Sequence, residues 1–199
     1  MIFKHLKEAT GLRHAALESR LPLLDARMSQ AGYRQLLQLF LGYYEPLEAK
    51  LMALPHWGAL GFDYAERRKT PRLMQDLRVL GETPEAIEGF ARCQNLPTVA
   101  TQEQLLGCLY VIEGATLGGQ IITRHLHANL GLTPLSGSAF FDGYGAQTGR
   151  QWKNFCAMLR LNAGETKGQQ DIFTTANQTF ETLGQWLFPE YPTPRGGTQ

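Results

Sequence analysis

The stretch TQEQLLGCLYVIEGATLGGQIITRHLHANLG, Thr101 to Gly131, constrains the fold more than any other part of the chain. Thr101 followed by Gln104 is a capping box, in which each side chain satisfies a backbone N–H that an opening helix leaves unpaired. Gly131 supplies the matching stop, and apolar residues at three- and four-residue spacing fill the interval. The spacing predicts one long helix. Within it Gly114, Gly118 and Gly119 cost roughly 1 kcal/mol each against alanine, so something lying against this helix must need their missing side chains.

Helices account for most of the remaining chain, because no alternating apolar pattern is sustained long enough to suggest a sheet. The first is expected from about Ile2 to Ser19, ending near Pro22, which cannot continue the hydrogen-bond ladder. Ser29 is an N-cap for a second, carrying Tyr33, Leu36, Leu37, Phe40, Tyr44 and Leu47 on one face, with Pro46 as a point of kinking. Thr70-Pro71 and Thr83-Pro84 each pair a capping residue with proline at the first helical position, and Gly81 ends the first of these helices. Leu135 to Gly149 reads as a glycine-rich connection, after which helical spacing resumes over Trp152–Leu161 and Asp171–Leu187. The fold class is therefore all-α, with a single domain over residues 1–188 and a flexible C-terminal tail over 189–199.

Composition serves mainly to exclude. A net charge of +1, with dispersed lysines and arginines, gives no reason to expect nucleic acid or an acidic membrane as partner. Cys93, Cys108 and Cys156 have neither disulfide-framework nor CxxC spacing and suit a reducing compartment as small core residues. The N-terminus lacks a signal-peptide pattern and no unbroken apolar run approaches a membrane span, which makes the cytoplasm the expected location. GYGAQTG has the wrong glycine spacing for a dinucleotide fingerprint, and no strand precedes it. His125 and His127 point to different faces of their helix and form no chelate, while His5 and His56 read as surface groups.

Chemistry concentrates on the first helix. In LKEATGLRHAALES, Lys7, His14 and Glu18 stand at offsets of seven and four, which brings a cation, an imidazole and a carboxylate to one helical face. Gly11, one turn before His14, leaves little bulk beside the imidazole, so a flat ligand could approach there with its anionic edge at Lys7. By spacing alone, the same residues also fit a plain surface ion pair of His14 with Glu18 beside a solvated lysine.

The first-helix segment LKEAT, leading to His14 with a glutamate four positions later, resembles the proximal helix of the haem oxygenases. YVIEGATLGGQII resembles the distal helix of the same family, and WKNF and NQTFETLGQWL extend the match weakly through the later helices. The resemblance implies haem, as both cofactor and substrate, between an N-terminal proximal helix and a kinked glycine-rich distal helix. It implies His14 as the iron ligand, with Glu18 positioning the ring, and Gly114, Gly118 and Gly119 bringing bare main chain over the opposite face. Lys7, Thr10, Tyr110 and Lys153 are the further residues implied to contact haem, the lysines and the tyrosine through its propionates. Where many members carry an aspartate that organises distal water, this chain has Ala115, which leaves main-chain groups, Glu113 or Thr116 to that task.

The activity implied is oxidative cleavage of haem by O2 and electrons to biliverdin, CO and ferrous iron. No flavin or iron–sulfur motif is present, so the electrons would come from a separate ferredoxin, flavoprotein or similar reductant, and a bacteriophytochrome is a candidate acceptor for the bilin. The alternatives are a non-catalytic haem carrier or sensor on the same scaffold and, further off, a helical interaction protein without a cofactor.

Overall fold

The two helices with the strongest start signals form as expected in the computed structural model, which describes residues 2–191. Ser29 accepts a hydrogen bond from the Gly32 N–H at 3.1 Å, opening α2 (Gln30–Met52), which continues through Pro46. Thr101 and Gln104 exchange both bonds of the capping box and open α6 (Gln102–Leu130), which ends on Gly131 at φ +68°. The other helices are α1 (Ile2–Glu18), α3 (Trp57–Leu60), α4 (Thr70–Val79), α5 (Pro84–Glu88), α7 (Ala139–Asp142), α8 (Thr148–Asn162) and α9 (Thr166–Leu187). No strand occurs among the described residues.

Two local differences from the sequence reading share one cause, a cap delivered from far along the chain. Thr70 does not cap α4. The Glu48 carboxylate of α2 accepts from the Lys69 and Thr70 N–H groups at 2.5 and 3.1 Å, placing negative charge at the positive end of α4. Asp76 of α4 likewise accepts from the N–H groups of Ala139 and Phe140, both at 2.8 Å, and turns part of the glycine-rich connection into α7. The last two helices also begin earlier than expected, at Thr148 and Thr166.

The core lies where α2, α6 and α9 meet, with Leu37, Leu41, Leu47, Leu105, Leu109, Ile172 and Ala176 buried within it. Tyr43 of α2 donates from its buried hydroxyl to the Thr179 carbonyl of α9 at 3.2 Å, and Trp186 donates to the Leu39 carbonyl at 2.7 Å. α6 packs chiefly on α9 and also on α7 and α8, while α1 lies along α9. By length and composition α6 could cross a membrane, contrary to the reading of apolar runs, but 56% of its most apolar stretch is buried as a core helix would be.

The packed body also extends past residue 188. Tyr191 is buried against Gly184, and its hydroxyl donates to the Arg13 carbonyl at 3.2 Å. The remainder of the expected tail, residues 192–199, lies outside the described residues.

Candidate functional site

On α1, Ile2, Leu6, Thr10 and Leu17 form a buried stripe that seats the helix. His14 falls beside that stripe rather than in it, so its side chain keeps 52% of its exposure. The imidazole rests edge-on against Phe180 of α9, with ring centroids 5.5 Å apart, and its Nε2 lies 3.3 Å from Glu18 Oε1. Because Nε2 faces the carboxylate, Nδ1 is the nitrogen left to a ligand in this rotamer. Lys7 is exposed on the same face and has no ion pair among the described residues.

Thr10 is buried and donates to the Leu6 carbonyl at 2.7 Å, beside Tyr110 of α6. Burial pushes the Tyr110 phenol up, and the Thr10 hydroxyl opposes that shift. This is the point where α1 meets α6. Two to three turns further along α6 the helix surface is uncovered: Leu117 and Ile121 are 46% and 56% exposed, and a Cβ added at Gly118 would touch nothing.

The packing order places His14 on that same side. Glu103 lies at Gly168, Gly107 at Ile172 and Ala176, and Cys108 at Thr179, so α6 and α9 run in one direction. Phe180 therefore stands beyond the Gly107 level, toward Gly114, and it is Phe180 that carries His14. The structure thus brings Thr10 beside Tyr110 and sets His14 against Glu18 and Phe180, on the side of that contact toward which Gly114 and Gly118 follow along α6.

Gly119 does not belong with them. It is buried a quarter-turn round α6, where a Cβ would land on the Phe141 carbonyl oxygen, so this glycine allows close approach of the α7 backbone. Glu113 and Thr116 are likewise turned inward. Glu113 is 1% exposed and accepts from Arg67 at 2.8 Å, Lys69 at 2.7 Å and the Tyr144 hydroxyl at 2.8 and 2.9 Å, while Thr116 donates to the Glu113 carbonyl. Burial pulls the Lys69 ammonium below its usual range against the pull of Glu113, and burial pushes the Tyr144 phenol up. A cleft of about 800 Å³ lined by residues including Arg67, Arg72, Tyr144 and Gln151 lies on this side of α6, with neither His14 nor Gly118 in its wall.

Lys153 is exposed on α8, without an ion pair among the described residues. Sequence reasoning missed two aromatic residues of the site. Phe180 sits seven positions after Phe173 on α9, a spacing that marks a shared face, and Trp152 lies 3.7 Å from where a Gly114 Cβ would be.

The donor set suits an iron porphyrin. A ring that supplies four of the iron's ligands needs one imidazole from the protein and an unobstructed opposite face. His14 offers a half-exposed imidazole, and Gly118 a stretch of α6 surface bare of side chains. A family model described as "Heme oxygenase" matches residues 2–188. A heme oxygenase of Xanthomonas campestris pv. campestris (strain 8004) is 28% identical over 157 residues, covering 79% of this chain and 87% of the relative. Among solved structures, the NO- and CO-bound heme oxygenase from Neisseria meningitidis superposes with a TM-score of 0.81 at 19% identity, over 96% of this chain and 92% of that one. Heme oxygenase from Leptospira interrogans gives 0.75 at 21% identity, over 94% and 98%. The chain belongs to the heme oxygenase family, and with it to the oxidoreductases that take haem as substrate.

Proposed function

We propose that this enzyme binds haem between α1 and α6, with His14 as the axial ligand, and cleaves it with O2 and externally supplied electrons to biliverdin, CO and ferrous iron. The observation that carries the reading is a half-exposed imidazole standing on the same side of the α1–α6 contact as an uncovered glycine face. Bound haem supplies the iron at which O2 is reduced and the macrocycle that is opened.

The protein's own contribution is position and exclusion. Glu18 orients the His14 ring and increases electron donation from its other nitrogen. Gly118 keeps the opposite face free of side chains, so main-chain groups border the reacting oxygen, while Leu117 and Ile121 present apolar surface that displaces water. Glu113 is committed to Arg67 and Lys69, so ordered water on the distal side would be held by main-chain groups in place of a carboxylate. Lys7, Tyr110 and Lys153 are the groups available to the propionates. A ferredoxin or flavoprotein would serve as reductant, and a bacteriophytochrome as acceptor of the bilin.

The test is single turnover of the hemin complex with ascorbate or a reductase system under air. Loss of the Soret band with appearance of bilin absorption is expected. A retained Soret band without bilin would instead identify a haem carrier, and no Soret shift on adding hemin would reject haem binding altogether.

A further inference from the structure

Trp152 of α8 stands where three helices meet. Its Cζ3 and Cη2 atoms lie 3.7 Å from the position a Cβ would take on Gly114. Its ring is tilted beside Tyr110 at 6.1 Å, edge-on to Phe3 of α1 at 6.4 Å, and backed by buried Phe155 at 5.4 Å. The residue is only half-buried, and its ring borders the first residue of the uncovered α6 face.

The placement is fixed from behind. Arg67 donates to the Gln151 carbonyl at 3.4 Å and to its side-chain oxygen, and the same guanidinium holds Glu113 at 2.8 Å. Gln151 immediately precedes Trp152, and Glu113 immediately precedes Gly114. One buried cation therefore ties both neighbours together, so the indole and the glycine backbone cannot slide past each other.

We infer that Trp152 is a specificity-determining residue: the side wall on which the edge of the haem stops, fixing how the macrocycle is seated in its own plane and which bridge carbon is cleaved. The inference rests on the haem reading above. A flat ligand lying on Gly114 and Gly118 can extend along α6 or outward to solvent, but on the α8 side it meets the six-membered ring of the indole. Shortening that ring opens space on one side only, so the seating shifts without removing the iron ligand or the bare face.

The test compares wild type with Trp152→Phe, which keeps an aromatic ring against Phe155, and with Trp152→Ala. Circular dichroism checks the fold, hemin titration checks binding, proton NMR of the cyanide-bound ferric complex reads the seating from the haem methyl shifts, and chromatography reads the bilin isomers. Hemin binding within about threefold of wild type, a changed methyl pattern and an isomer ratio moved by about tenfold are expected, since one or two methylenes of pocket wall discriminate by that order. An unchanged methyl pattern and isomer ratio in folded, hemin-bound Trp152→Phe would overturn the inference. If wild type itself gives no Soret shift with hemin, the haem reading fails first and this one falls with it.

Discussion

Gly118 and Gly119 are adjacent in sequence and opposite in purpose. A methyl at Gly118 meets open space, so Gly118→Ala should gain about 0.5 to 1 kcal/mol of helix stability and raise the melting temperature. The same methyl would intrude on the haem face and weaken hemin binding by about tenfold. Gly119→Ala drives its methyl into the Phe141 carbonyl and should cost about 2 to 3 kcal/mol, lowering the melting temperature. Thermal melts and hemin titrations on both variants separate a glycine kept for the ligand from one kept for packing. If Gly118→Ala were the destabilised member of the pair, the division would be wrong. His14 shows the same economy: its ring is held by one carboxylate and one aromatic edge, and the rest is left free.

At the scale of elements, distant carboxylates decide where several helices begin. Asp76 holds α7 by two backbone bonds, yet burial outweighs them and pushes its pKa up from 3.8 to about 6. A carboxyl with a raised folded-state pKa is protonated more readily in the native than in the unfolded chain. Its contribution is fullest below about pH 4, falls as pH rises to about 6, and is level above. Chemical denaturation from pH 4 to pH 7 should therefore show the wild-type advantage over Asp76→Asn shrinking by an amount on the order of 3 kcal/mol. An advantage that grows with pH would mean that the two N–H bonds dominate burial. Since α7 carries the Phe141 carbonyl against Gly119, this carboxyl also fixes the backbone that packs on α6.

At the scale of the molecule, what was legible in the sequence was local. The capping box at Thr101, the stop at Gly131 and the offsets of Lys7, His14 and Glu18 depend on residues within about three helical turns of one another, and the helices that carry them form as expected. The caps from Glu48 and Asp76 cross 21 and 63 residues, and no pattern near Thr70 or Ala139 announces them. The division among the glycines is available from helical geometry: Gly118 lies on the Gly114 side, while Gly119, about 100° further round, falls in line with buried Ile112 and Leu105, and grouping Gly114, Gly118 and Gly119 as one set hides it. Glu113 was misplaced for the same reason, one step around the helix from Gly114. Phe180 and Trp152 reach the site by tertiary packing of α8 and α9, which spacing within those helices does not encode.

The central claim is that one imidazole from α1 holds the iron beside the bare face of α6. It is tested most directly by the ferric absorption and resonance Raman spectra of His14→Ala reconstituted with hemin, before and after addition of free imidazole. Loss of the wild-type axial-ligand signature, and its return when imidazole fills the vacated position, is the expected result. A wild-type spectrum in His14→Ala without added imidazole would contradict the claim.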